Sequence, residues 1–133
     1  VNRLFINTDE RNWDGMKKEV FAKEVVFDMT SMGAERVEQL SSKQICEMWD
    51  EGLSGIDAVH HQAGTYLVEP DNESSVNVKA YAIATHYKKD AQDGPIREFV
   101  GSYDLHLVKG ISGWKIDKFA YRLKYMTGNL ELT

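Results

Sequence analysis

The sequence predicts an α+β domain in which short helices come first and a long antiparallel sheet follows. Three observations carry this reading. Apolar residues at helical spacing, with capping side chains before them, are confined to the first half of the chain. Four strand-like runs, at 59–69, 76–88, 97–109 and 113–125, occupy the second half. Turn chemistry separates those runs: Pro70-Asp71-Asn72-Glu73, Asp90 through Pro95, and the short hairpin turn Lys109-Gly110-Ile111-Ser112-Gly113. Strands of this length twist and curl, and helices placed ahead of them close one mouth of the curl.

The elements follow in order. Val1 to Phe5 is mostly apolar and reads as helix, broken by the polar stretch Asn7 to Asn12. Asn12 or Asp14 then caps a second short helix carrying Met16, Val20 and Phe21. Val25 to Met29 is β-branched and aromatic and predicts a short strand. Ser41 or Ser42 is an N-cap, followed by Ile45, Met48, Trp49 and Leu53 on one helical face, and Gly52 and Gly55 end that helix.

Composition bounds the rest. At 133 residues, with 42% hydrophobic and 11% aromatic residues, the chain is sized for a single domain, residues 1–133, with a filled core. No apolar run reaches the ~18 residues of a membrane-crossing helix, and no charged-apolar-small leader is visible at Val1. Neither membrane nor nucleic acid is an expected partner; the net charge of −5 opposes the latter. A single cysteine, Cys46, excludes an internal disulfide and a cysteine-based zinc site. A cytoplasmic location is the resulting expectation.

Strand alternation locates the chemistry. In 76–86 the even positions Val76, Val78, Ala80, Ala82 and Ala84 form a small apolar face ending in His86, which suits a cavity wall. In 99–107 the odd positions Phe99, Gly101, Tyr103, Leu105 and Leu107 are apolar apart from one phenol. His60 and His61 stand side by side at the start of a strand, so one faces in and the other out. An enclosed imidazole paired with a carboxylate is a general base, because the carboxylate fixes its tautomer and stabilises the imidazolium. The candidates are Asp9, His60, His61, His86, Tyr103 and Tyr66. Adjacent strand histidines cannot both reach one inward ion, so no metal is expected. No Gly-rich phosphate loop or G-x-S-x-G is present.

Four segments, in order, resemble the SnoaL-like branch of the NTF2-like superfamily: Thr8 to Asp14 with its Asn-Trp-Asp, Val25-Val26-Phe27-Asp28, Val59-His60-His61-Gln62, and Gly101 to Leu105 with Gly113-Trp114-Lys115-Ile116. The resemblance implies a cone: a strongly curved antiparallel sheet around a pocket, with the N-terminal helices over its opening. Within the branch the pattern is most similar to scytalone dehydratases and related Asp–His dehydratases, which eliminate water or halide without metal or organic cofactor. It implies Asp9, His60 and His86 as catalytic residues, with no cofactor. Tyr103, His61, Met29, Trp49 and Tyr66 are then the expected substrate contacts. Scytalone dehydratases carry tyrosines where this chain has Thr8 and Met29, so a different substrate is implied.

The expected function is therefore a dehydratase-type lyase acting on a small cyclic, mostly apolar molecule. An isomerase or cyclase with the same base, or a binding module without turnover, are the alternatives. The base is expected at His60, with His61 on the opposite face unless a bulge exchanges them. Tyr81, Tyr87, Phe119, Tyr121 and Tyr125 read as an exposed aromatic face, which suggests a homo-oligomer, dimer or trimer.

Overall fold

The computed structural model describes residues 1–133. Helix α1 spans Asn2–Asp9, four residues beyond the apolar stretch that announced it. A single short turn, α2 (Trp13–Gly15), follows, with the Asn12 side chain accepting from the Gly15 amide at its N-cap. The chain continues as a π-helical turn over Met16–Val20. Phe21 opens strand β1 (Phe21–Asp28) rather than belonging to the helix. A short strand that the sequence did not signal, β2 (Glu38–Ser41), leads into α3 (Ser42–Leu53).

Ser41 caps α3 with a reciprocal box: its Oγ accepts from the Gln44 amide, and the Gln44 side chain accepts from the Ser41 amide. The apolar stripe of α3 then buries Ile45, Cys46 and Leu53. The second half is the expected run of long strands: β3 (Ala58–Asn72), β4 (Ser75–Tyr87), β5 (Ile96–Gly110) and β6 (Gly113–Gly128). All six strands form one curved, open sheet in the order β2-β1-β6-β5-β4-β3. Every neighbouring pair is antiparallel except β1 and β6, which run parallel. The helices pack over the concave side.

The inner faces of β4 and β5 are the ones alternation picks out. Val78, Ala80, Ala82 and Ala84 are buried on β4, and Gly101, Tyr103, Leu105 and Leu107 on β5. Strand β6 departs from simple alternation. Asp117 is unmatched where Leu107 pairs Ile116 and His106 pairs Lys118, and Lys124 is unmatched where Gly101 pairs Leu123 and Val100 pairs Tyr125. Each extra residue flips the strand's faces. Phe119 and Tyr121 consequently point inward, 3% and 5% exposed, which removes them from the expected outer aromatic face; Tyr81, Tyr87 and Tyr125 remain on it.

Gly101 lies beside the second bulge for a steric reason. A Cβ there would sit 2.4 Å from the Arg122 carbonyl oxygen and 2.7 Å from the Tyr121 hydroxyl. Phe119 stacks on Phe27 at 5.2 Å, and Phe21 and Trp49 meet the same ring edge-on, so one aromatic cluster joins β1, β6 and α3. No helix is long and apolar enough to cross a membrane.

Candidate active site

A cavity of about 240 Å³ opens between the helices and the concave sheet, and most of its lining is apolar. Phe5 and Thr8 from α1, Met48 and Trp49 from α3, and Met29 after β1 form its roof. Ala84, Phe99, Tyr103 and Tyr121 form its floor. Two histidines reach it, His61 and His86.

His61, not His60, is the inward member of the pair. In the β3–β4 register His61 lies opposite Ala84, Val59 opposite His86, and Ala63 opposite Ala82. Directly opposed residues share a face, and the β4 partners line the inner one. No bulge intervenes here, so His60 points outward, exposed, with its Nε2 3.3 Å from Gln62 Oε1. The corrected assignment was legible in the strand itself: Val59 and Ala63, the apolar residues flanking the pair at spacing two, have the parity of His61.

Asp9 holds His61 twice. Its Oδ1 is 2.6 Å from His61 Nδ1, and its Oδ2 accepts from the His61 backbone amide at 2.8 Å. The two side chains are 17% and 10% exposed. Asp9 is the last residue of α1, where the helix dipole disfavours a carboxylate; the two donors from β3 offset that cost. With Nδ1–H directed at the carboxylate, the lone pair of His61 sits on Nε2. Phe5 lies against the ring at 5.5 Å and also meets Tyr103 edge-on at 5.1 Å, which fixes the imidazole plane.

His86 sits diagonally across from His61 on β4, about 7–8 Å away for neighbours so related. Its Nδ1 accepts from Arg97, with guanidinium Nε at 3.3 Å and Nη2 at 3.1 Å. Burial, then the Arg97 charge and then His61, depress its pKa from 6.5 to about 4, so it is neutral at physiological pH. Burial first, then Tyr121 and Asp9, push the Tyr103 phenol well above its ordinary range, so it too stays protonated. The Tyr121 hydroxyl is buried without a hydrogen-bond partner.

Of the expected contacts, Tyr103, His61, Met29 and Trp49 line the cavity. Tyr66 does not. Counted from His61 it falls on the outer face, 40% exposed, in the irregular stretch between Gly64 and Leu67 where Thr65 has φ 54°, and its hydroxyl donates to Asn2 Oδ1. Thr8 lines the cavity beside Asp9, its own hydroxyl donating to the Leu4 carbonyl at 2.6 Å. Sequence reasoning missed Arg97 and Tyr121: the first opens a strand like any exposed base, and the second was hidden by the β6 bulges. No three His, Cys, Asp or Glu side chains converge in a geometry that could hold a metal ion.

Residues 1–120 match the SnoaL-like domain, and the chain belongs to that family. No curated protein sequence matches it. Among solved structures, a Kribbella flavida protein superposes with a TM-score of 0.90 at 19% identity, covering 98% of this chain and 89% of the other. A provisionally named scytalone dehydratase from Novosphingobium aromaticivorans gives a TM-score of 0.80 at 14% identity, over 94% and 79% of the two chains. The hexachlorocyclohexane dehydrochlorinase of Novosphingobium barchaimii gives 0.76 at 12% identity, over 95% and 82%. At these identities the likeness is one of fold, and it is the NTF2-like cone.

Proposed function

We propose that this protein is a lyase that eliminates water, or another β-leaving group, from a small cyclic, mostly apolar carbonyl compound, using side chains alone. The observation that carries the reading is the Asp9–His61 pair, whose imidazole faces an apolar cavity while its carboxylate stands behind it. The elimination-type names of the dehydratase- and dehydrochlorinase-like fold relatives support it.

In the proposed reaction His61 Nε2 removes a proton from the carbon next to the carbonyl. The C–H electron pair moves into an enolate, and Asp9 stabilises the imidazolium that results. His86, or the Tyr103 phenol, donates a hydrogen bond to the enolate oxygen. The enolate collapses to a C=C bond as the β-hydroxyl departs with its electron pair, and the proton held on His61 completes the water molecule. His61 ends neutral, so the cycle closes without a further reactant.

The test is a panel of cyclic β-hydroxy and β-halo ketones incubated with the protein in D2O and followed by mass spectrometry. Loss of water or hydrogen halide that disappears with His61→Ala is the expected result. Deuterium at the α-carbon without loss of the β-group would favour the isomerase reading. Saturable binding with neither outcome would make the protein a binding module.

A further inference from the structure

The two histidines of the cavity have partners of opposite sign, and this sets what each can do. Asp9 is an acceptor, so it takes the Nδ1 proton of His61 and leaves Nε2 bare. A guanidinium is only a donor and does not deprotonate in proteins. Arg97 directs two N–H groups at His86 Nδ1, which must therefore carry the lone pair. The single ring proton of His86 is then on Nε2, the nitrogen left to meet a ligand.

We propose that Arg97 is a positioning residue that locks His86 as a hydrogen-bond donor to the cavity, the opposite tautomer to His61. Resting on the elimination reading above, this makes the site directional. A ligand fits when it offers an acceptor such as a carbonyl oxygen to His86 and an acidic C–H to His61. A cationic or donor-only group at the His86 end is refused, because it would meet an N–H backed by a guanidinium.

The fold builds the lock from three elements. Arg97 on β5 lies directly opposite His86 on β4, so both side chains leave the same face. Phe99, two residues on, packs under both: 5.1 Å from the His86 ring and 5.4 Å from the guanidinium. The C-terminal segment supplies the far anchor, with Arg97 Nη1 donating to the Leu130 carbonyl at 3.2 Å. Arg97 itself does not line the cavity; it acts through His86. The titratable groups facing His86 are Arg97 from β5, His61 from β3 and Asp9 from α1.

Imidazole tautomers are read directly from two-bond ¹H–¹⁵N correlations on the intact, ¹⁵N-labelled protein, with no substrate needed. The expected wild-type spectrum has His86 protonated at Nε2 and bare at Nδ1, without titrating between about pH 5 and 8, where an ordinary histidine does. In Arg97→Met, His86 should exchange between tautomers and titrate at a higher pH than in the wild type, with burial still holding it below an ordinary histidine; Arg97→Lys, with a single donor, should restore the lock in part. On an eliminated substrate, Arg97→Met should lower kcat by about tenfold or more, the scale of one misplaced acid–base partner, with KM little changed.

A wild-type His86 protonated at Nδ1, or charged at pH 7, would overturn the proposal even if no variant folds. So would an Arg97→Met spectrum identical to wild type. The expected spectra together with no elimination from any ketone would uphold the donor assignment and count against the lyase reading instead.

Discussion

Asp9 grips His61 at two points, the ring Nδ1 at 2.6 Å and the backbone amide at 2.8 Å, so one carboxylate sets both the imidazole's tautomer and its place on the strand. This relationship separates His61 from its neighbour. Replacing His61 by Ala should cost about 10²–10⁴-fold in kcat/KM for elimination, the range of a positioned general base. His60→Ala, which alters only an exposed contact to Gln62, should leave the rate within a factor of about two. Parallel assays on one substrate decide it; equal losses would return the base to the outer histidine.

The second grip predicts a stability cost independent of catalysis. Asp9→Ala leaves the His61 amide without its acceptor, a loss of about 1–3 kcal/mol for an unsatisfied buried donor. His61→Ala keeps a backbone amide for Asp9 to accept from and should be milder. Urea unfolding of the two variants reads the difference, and an Asp9→Ala protein as stable as wild type would show that the amide finds another partner.

Much of the fold is legible in the sequence, and the misses have two causes. The four long strands, the Ser41 cap and the small-residue wall of β4 follow from local chemistry that nothing overrides. Phe119 and Tyr121 were misplaced because both lie beyond the first β6 bulge, and a bulge is a property of the paired strand rather than of the strand's own alternation. His61 is the opposite case: the alternation was intact, and Val59 and Ala63 already marked the inner face. The Asp9–His61 contact spans 52 positions, so only the packing of α1 on β3 could reveal its geometry.

Stability should respond to acid through His86 and to base through His106. His86 has its folded pKa lowered from 6.5 to about 4 by burial first and the Arg97 charge next. Below 6.5 the unfolded chain binds a proton the native state refuses, so stability falls as pH drops from 6.5 toward 4. After allowance for its partial exposure, this amounts to on the order of 2 kcal/mol. His106 is the reverse. Asp117, the bulge residue, lies 2.6 Å from its Nδ1, and Asp71 lies 3.2 Å from its Nε2. The Asp117 hydrogen bond foremost raises its pKa. Its stabilisation is complete below 6.5 and is lost as pH rises through the raised value. Urea midpoints across pH for His86→Gln should lack the acidic decline, and those for His106→Gln the basic one; profiles parallel to wild type would refute both.

The outer face of the sheet should mediate self-association. Ile83, Val100 and Tyr125 stand in one cross-strand row, with Tyr81 beside it under the Lys124 ammonium. The chain exposes 7996 Å², whereas a folded monomer of its mass exposes about 7,100 Å². An open, curved sheet is less compact than the average fold, and covering its apolar row in a standard interface would bury about 800 Å² of each partner. Sedimentation should find an oligomer that Ile83→Lys with Tyr125→Lys dissociates; a monomer at all concentrations would leave the apolar row uncovered and refute the expectation.

Tyr121 offers the sharpest separation of stability from function. Its hydroxyl is buried beside the cavity with no hydrogen-bond partner in the chain, and burial raises its pKa. An unsatisfied buried hydroxyl costs the fold its desolvation, so Tyr121→Phe should be neutral or stabilising by up to about 1 kcal/mol. Most buried tyrosine hydroxyls are bonded, and their removal is destabilising. The ring contacts survive the change, including the one to Tyr103 at 4.9 Å. If the free hydroxyl is kept for a ligand's polar atom, the same substitution should weaken that ligand severalfold while the melting temperature holds or rises. A melting temperature that falls by several degrees would mean the hydroxyl is bonded in solution and serves the fold instead.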